Sequence, residues 1–326
     1  MDDKLGFPHD ETPGEDAGHH TLKHMDSTKM HPDEVPTDTT LVRRLLAAQF
    51  PQWAALPITP VPSAGTDNAL YRLGDDLAVR MPRIHWAIGQ VAKEQRWLPQ
   101  LAPHLPLAIP VPLALGLPGE GYPWQWSICR WLPGENAASA PPADPLRAAT
   151  TLAGFVATLQ RLDAADGPHP GDHNSWRGEP LAQRDAATRT AITALGDLID
   201  AAAVTAAWEA ARHAPAWAGP PVWIHGDLAG GNLLVEQGEL SAVIDFGCLG
   251  VGDPACDLIV AWNLFSGAAR AAYRAALAVD DATWARGRGW ALTNALVALP
   301  YYLHTNPPIV AMSWRVVGEV LADHAR

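Results

Sequence analysis

The sequence predicts an α+β fold in two unequal lobes. Three observations carry this. Short β-prone runs crowd the first 130 residues around one helical pattern. The second half is alanine-rich, with apolar residues at three- and four-residue spacing. Between strand-like runs at 221–224, 233–235 and 240–244 lies a polar cluster, His225-Gly226-Asp227-Leu228-Ala229-Gly230-Gly231-Asn232, followed by Ile244-Asp245-Phe246-Gly247.

Residues 58–62 and 69–73 read as strands flanking Ser63-Ala64-Gly65-Thr66-Asp67-Asn68, a small polar turn able to aim backbone N–H groups at phosphate oxygens. Its one glycine is a thinner signal than a full glycine-rich loop. Gly74-Asp75-Asp76 is a turn, and Leu77-Ala78-Val79-Arg80-Met81-Pro82 reads as the third strand. A helix is expected over 86–101, with Ile88, Val91, Trp97, Leu98 and Leu101 as its apolar face. Segments 107–117 and 124–132 read as the last two strands of this lobe. Helices are expected at 146–162, 185–200, 204–213, 258–265, 268–278, 281–303 and 308–324. The Pro/Gly/His/Asn segment 163–179 reads as a surface loop, with approach of Asn174-Ser175-Trp176-Arg177 to nucleotide or substrate as the alternative.

Asp227 and Asn232 lie five residues apart, and Asn232 and Asp245 thirteen. A carboxylate, an amide oxygen and a second carboxylate at strand ends suit phosphoryl transfer from a magnesium-bound nucleotide. Mg²⁺ is a hard cation that takes one or two protein oxygens beside phosphate and water, so Asp245 and Asn232 are the candidate ligands. Asp227 is the candidate base that orients and deprotonates an attacking hydroxyl. The competing reading is a polar hairpin whose acids face water. Against it, Asp245 follows Ser241-Ala242-Val243-Ile244 and so falls at the end of a buried strand.

Those separations resemble the catalytic loop and Asp-Phe-Gly element of protein kinases. By that analogy His225 braces the loop by hydrogen bonding. Protein kinases continue into a long activation segment. Here Cys248-Leu249-Gly250-Val251 runs directly into Gly252-Asp253-Pro254-Ala255-Cys256-Asp257-Leu258. On these motifs the chain resembles the aminoglycoside phosphotransferase family, from residue 38 to about 324.

The resemblance implies a protein-kinase-like bilobal fold: a small antiparallel-sheet N-lobe with one key helix, and a larger, mainly helical C-lobe. It places the N-lobe at 39–131, a hinge at 132–135 and the C-lobe at 136–326. ATP or GTP with Mg²⁺ would bind between the lobes, and the acceptor would be a small-molecule hydroxyl. Arg80 stands where kinases keep a phosphate-binding lysine, a solvated strand arginine being the alternative. Glu94 is its expected partner, in competition with a local pairing to Lys93 and Arg96. Ser63 and Gly65 would approach phosphate, and backbone groups around Arg130 and Leu132 would meet the purine. Asp257 would accept hydrogen bonds from the catalytic loop. Asp253, Trp262, Asn263, Tyr301 and Tyr302 are the substrate candidates; helix packing is the alternative for the last four, and tying the metal loop to the next helix is the alternative for Asp253. Some family members carry an acid three residues after the base that grips amino groups, whereas this chain has Gly230.

The formal charge of the 326 residues is −12, which argues against nucleic acid and for a cationic or neutral acceptor. Residues 1–38 hold ten acids against three lysines, −7 of the total, leaving −5 for the body. That weakens the argument for a cation. The tail is rich in Pro, Gly and His (His9, His19, His20, His24, His31), lacks periodicity and is expected to be disordered. An upstream extension before a start at Met30 is an equal reading. Cys129, Cys248 and Cys256 have no metal or disulfide spacing and read as small buried thiols. The longest apolar stretch, 105–117, is cut by Pro106, Pro110 and Pro112, so no membrane span is expected. The expectation is a cytoplasmic monomer that phosphorylates an aminoglycoside, macrolide or related antibiotic. The alternatives are a metabolic kinase acting on an amino alcohol or sugar amine, and a nucleotide-binding pseudokinase with a regulatory role.

Overall fold

A computed structural model of the protein describes residues 31, 33–62 and 65–326. The expected phosphate contact at Ser63, and the tail up to Met30, lie outside those residues. The first element is a helix absent from the sequence reading, α1 (Thr39–Gln49). Its signals are local. Asp38 caps it, accepting from the Leu41 N–H at 2.7 Å, and Leu41, Val42, Leu45 and Leu46 recur on one buried face. The last residues of the expected tail are packed on the body. Val35 N–H donates to the Arg83 carbonyl at 2.7 Å, and the Tyr71 hydroxyl bonds Thr37 Oγ1 at 2.9 Å.

The N-lobe sheet contains β1 (Ile58–Pro60), β2 (Asn68–Leu73), β3 (Leu77–Pro82), β4 (Pro112–Gly116) and β5 (Trp126–Arg130), with α2 (Ile88–Leu101) between β3 and β4. Strand order is β1-β2-β3-β5-β4, and every neighbouring pair is antiparallel. Alternation along β2 buries Ala69, Tyr71 and Leu73 in a core shared with α1. The strand expected over 107–117 is split. Pro110 and Pro112 cannot donate to a ladder. Only 112–116 joins the sheet, while Ala108 pairs across to the other lobe, donating to the Ser241 carbonyl at 3.2 Å and accepting from Val243 N–H at 2.9 Å. On α2, Val91, Trp97, Leu98 and Leu101 are buried as expected, but Ile88 is exposed.

The second lobe runs β6 (Glu135–Asn136), α3 (Pro145–Arg161), α4 (Asp185–Leu195), α5 (Ala201–Arg212), β7 (Val222–Ile224), β8 (Leu233–Glu236), β9 (Glu239–Val243), β10 (Gly250–Gly252), α6 (Val260–Asn263), α7 (Gly267–Leu277), α8 (Asp281–Tyr302) and α9 (Pro307–His324). Two small sheets, β6-β8-β9 and β7-β10, hold the polar loops against the helices. Helix α8 is apolar on most sides and buries Trp290, Leu292, Leu296 and Leu299. The helices begin on short polar caps: Asp144 for α3, Asp200 for α5, Asp280 for α8 and Asn306 for α9. No helix among the described residues is long and apolar enough to cross a membrane.

Two of the substrate candidates belong to this architecture. Trp262 is fully buried, its ring 4.6 Å from that of Trp284, so it is a core residue without access to a ligand. Asp253 is ion-paired to Arg286, at 2.6 Å to Nε and 3.1 Å to Nη2, with the two side chains 7% and 5% exposed. Its carboxylate locks the loop after β10 to α8 and is not available to an acceptor.

A buried pair stripped of one partner leaves a charge without compensation. Arg286→Met is therefore expected to lower unfolding free energy by about 3–5 kcal/mol in chemical denaturation, and a loss below about 1 kcal/mol would contradict this role. Lys93, on α2 and 9% exposed, ties the lobes. Its Nζ donates to the Gly247 carbonyl at 2.6 Å and the His173 carbonyl at 3.2 Å. Burial pushes its ammonium from 10.5 down to about 8. The unfolded chain then holds this proton more tightly than the fold does. Stability is penalised below pH 8 and recovers as pH rises towards 10.5. The stability difference between wild type and Lys93→Met should move in favour of wild type across that window, by about 3 kcal/mol at most; a flat difference rules out the buried ammonium.

Candidate functional site

Strand β7 ends on His225-Gly226-Asp227. The His225 ring is buried, packs 4.6 Å from Phe246, and donates from Nε2 to the Ile244 carbonyl at 3.0 Å. Nδ1 accepts from the Asp227 N–H at 3.2 Å, so the ring is the neutral Nε2–H tautomer. Behind the loop, the buried Asp257 carboxylate accepts from the His225 N–H at 2.9 Å and the Gly226 N–H at 2.7 Å. Burial raises the Asp257 carboxyl above its ordinary range, and these backbone donors oppose that shift. Gly226 has φ +83°, and a Cβ there would stand 2.6 Å from the Cys248 carbonyl. Only glycine makes this turn at this distance.

Asn232 follows Asp227 around the loop and is fixed by it. Asn232 Nδ2 donates to the Asp227 carbonyl at 2.8 Å and to Asp227 Oδ2 at 3.1 Å. The Asn232 backbone carbonyl accepts from the Ile244 N–H at 2.9 Å, which sets Asp245 beside it. Asp245 is left-handed, with φ +61° and no glycine to ease it, a conformation typical of strained functional positions. Its Oδ1 accepts from Arg80 Nη2 at 2.9 Å and Gly247 N–H at 3.3 Å. Among the described residues, Asn232 Oδ1 and Asp245 Oδ2 carry no hydrogen bond. Two hard oxygens on neighbouring loops, one charged and one neutral, are a donor set that fits Mg²⁺.

Arg80 on β3 pairs with Glu94 on α2 as well as with Asp245. Burial alone would pull its guanidinium down, but the two carboxylates outweigh that and hold it above its usual value. Gln90, one turn before Glu94, accepts from Arg80 at 3.1 Å and from Asn68 at 3.0 Å, and donates to Asp67 at 2.9 Å. Asp67 also accepts from the Trp86 indole at 3.0 Å, so the base of the loop containing Gly65 is tied to α2. Gly247 has Gln90 packed where a Cβ would be, at 2.8–2.9 Å. At the lobe junction, Trp131 N–H donates to the Asp76 carbonyl at 2.8 Å. Arg130 is exposed, and the Leu132 backbone makes no hydrogen bond to another described residue.

The remaining candidates separate. Asn263 is 9% exposed, accepts from Gly230 N–H at 3.2 Å and donates to the Leu228 carbonyl at 3.1 Å. Both ends of its amide brace the catalytic loop, so it does not face an acceptor. Tyr301 and Tyr302 line a cavity beside the loop, and the Tyr302 hydroxyl bonds Thr66 Oγ1 across the cleft at 3.3 Å. Gln90 and Lys93 lie at the site and were not singled out in the sequence, whereas Asp67 falls in the expected phosphate turn and the approach of Arg177 to the site was the alternative reading of its segment. Arg177, read there as part of a surface loop, is largely buried, and its Nη2 lies 3.4 Å from Asp227 Oδ1. Consecutive left-handed residues, Ser175 and Trp176, turn it inward, and no local motif announces them. Cys248 and Cys256 flank the metal loop as protonated thiols, burial pushing Cys248 up to about 11 and Cys256 well above its usual value.

Solved structures with the same fold include an aminoglycoside 2'-phosphotransferase-IIIa bound to GDP. It is 18% identical, with a TM-score of 0.68 over 88% of this chain and 99% of the other. A macrolide 2'-phosphotransferase MphH from Brachybacterium faecium is 23% identical, with a TM-score of 0.56 over 87% of this chain and 98% of that one. A streptomycin–ATP complex of APH(2")-IIa is 15% identical, with a TM-score of 0.57 over 87% and 97% of the two chains. A comparison with curated protein sequences finds no match. Residues 58–290 match the sequence family described as the phosphotransferase enzyme family, which spans most of both lobes and every loop described above. The chain therefore belongs to the phosphotransferase enzyme family.

Proposed function

We propose that the protein transfers the γ-phosphate of a nucleoside triphosphate to a hydroxyl of a small molecule. The observation that carries this reading is the convergence of Asp227, Asn232 and Asp245, in which Asn232 bonds Asp227 directly and accepts from the Ile244 N–H next to Asp245, with Asp245 in turn paired to the Arg80 of the Arg80–Glu94 pair. The GDP and ATP complexes of structurally similar phosphotransferases support a purine nucleotide as donor. The acceptors named for those proteins are aminoglycosides and macrolides, and a hydroxylated antibiotic is the first acceptor class to test here.

In the proposed reaction the acceptor oxygen attacks the γ-phosphorus, the bond from phosphorus to the β–γ bridging oxygen breaks, and the hydroxyl proton passes to Asp227. Asp227 Oδ1 suits that task, because its one partner is the distant Arg177 guanidinium. Asn232 and Asp245 would hold Mg²⁺, which supplies charge neutralisation for the nucleotide phosphates when bound. Arg80, kept charged by Glu94, offers a forked donor to phosphate oxygens in place of a lysine. The free Leu132 backbone is the proposed contact for the purine, and Gly65 belongs to the proposed phosphate loop. His225 and Asp257 act as positioning residues, since each holds backbone of the loop that carries Asp227.

The direct test is release of ADP or GDP by the purified protein with Mg²⁺ against aminoglycosides, macrolides and hydroxylated metabolites. Nucleotide binding without turnover on any acceptor would instead favour a regulatory nucleotide-binding protein. Asp227→Asn is expected to cut turnover by about 10²–10⁴-fold while nucleotide affinity stays near wild type; normal turnover would eliminate Asp227 as the base. Asp245→Ala should weaken Mg²⁺–nucleotide binding itself, by at least about tenfold in calorimetric titration, and unchanged affinity would remove it from the metal site.

A further inference from the structure

Beside Asp227 lies a cavity of about 160 Å³ between the loop that precedes α4 and the C-terminal half of α8. Arg177, Arg184, Ser175, Asn294, Tyr301 and Tyr302 line it. This volume is below the roughly 300–1,000 Å³ of drug-sized sites, so it suits a small acceptor or one arm of a larger one.

The charge on its wall is unbalanced. Arg184 is 5% exposed, and its guanidinium makes no hydrogen bond or ion pair with any described residue. Its Nε is buried without an acceptor, as is the Nε of Arg177. The carboxylate that Arg177 reaches is the candidate base, at 3.4 Å. Burial first, and Arg177 second, lower Arg184 to about 10, which leaves it charged at neutral pH. Arginine does not escape burial by losing its proton, and a buried charge without a partner is strongly unfavourable. No carboxylate lines the cavity. Two guanidiniums facing one small space, with donors to spare, are the arrangement that binds an oxyanion through several oxygens.

We propose that this cavity binds an anionic group, a carboxylate or a phosphate, on the acceptor, so that the substrate is an anionic hydroxy compound and not a polycation. The proposal rests on the phosphotransferase reading for the word acceptor, while the anion site stands on the cavity alone. Tyr301, Tyr302, Asn294 and Ser175 supply hydroxyl and amide groups for the rest of such a molecule, and the Arg177–Asp227 contact puts the anion within one small molecule's length of the base.

The test is thermal-shift titration with inorganic phosphate and with a matched series: glycerate (anionic), glycerol (neutral) and serinol (cationic). Each is run alone and with Mg²⁺ plus saturating nonhydrolysable ATP or GTP analogue, which fills any nucleotide-phosphate site. Glycerate or phosphate should raise Tm in both settings, glycerol and serinol should not, and Arg184→Gln should weaken the anion at least about tenfold. Arg184→Lys, which keeps the charge and loses the fork, should retain part of the binding. A response to glycerate alone assigns a carboxylate, and a response to phosphate alone assigns a phosphate. No anion-dependent shift, equal shifts in wild type and Arg184→Gln, or tighter binding of serinol than of glycerate would each overturn the proposal. Failure to bind either nucleotide analogue would defeat the phosphotransferase reading, and the nucleotide-free titrations would still decide the anion site.

Discussion

A guanidinium removed from water has to be met by acceptors, and Arg80 is met on three sides. Glu94 and Gln90 reach it from α2, and Asp245 reaches it from the far lobe. These contacts fix the sheet, α2 and the loop carrying Asp245 relative to each other. Hydrogen bonds to charged groups contribute about 1.5–3 kcal/mol each, so the two on Asp245 Oδ1 together offset the roughly 1–3 kcal/mol cost of one residue held in a left-handed conformation. That comparison accounts for the persistence of Asp245 at positive φ. Helix α2 also delivers the Lys93 ammonium to the Gly247 carbonyl, so β3 and α2 hold the loop at Asp245 and at Gly247.

The loop carrying Asp227 is held by a different device. Asp257 sits beneath it without solvent contact and takes two backbone N–H groups in succession. His225 then spans the gap to the strand before Asp245, and Asn263 closes the loop from the other end. Backbone is anchored by buried side chains, while Asp227 and Asp245 remain about 40% exposed at the cleft. Rigid support behind and open carboxylates in front is the arrangement that positioned catalysis needs.

Fold and site were legible to different depths. The antiparallel pairing of the N-lobe came from the family resemblance, whereas most strand runs and helix spans follow from apolar periodicity and turn residues, because those signals are local. The loops carrying Asp227, Asn232 and Asp245 were legible for the same reason, since each sits at the end of an apolar strand. Helix α1 was missed although Asp38 and its apolar spacing announce it. The approach of Arg177 to the site stood only as the alternative to a surface loop, and the burial of Lys93 could not be read. Their partners lie 50 and 154 residues away, and their burial depends on packing that no window of sequence contains. For Trp262, Asn263 and Asp253 the structural alternative holds and the substrate candidacy does not: α6 turns the first two into the core and onto the loop carrying Asp227, and Asp253 pairs with Arg286 on α8.

The hydroxyl contact from Tyr302 to Thr66 joins the C-lobe to the loop at the front of the N-lobe at 3.3 Å. A neutral hydrogen bond of that kind holds about 0.5–1.5 kcal/mol, only one to three times thermal energy. The attachments of β3 and α2 to the same lobe are charged, and the one from Lys93 is buried. The two fastenings are therefore unequal in stiffness. Thermal motion breaks the contact at Thr66 long before it separates Lys93 from the Gly247 carbonyl, so the two lobes are hinged about their charged side and not about their hydroxyl side.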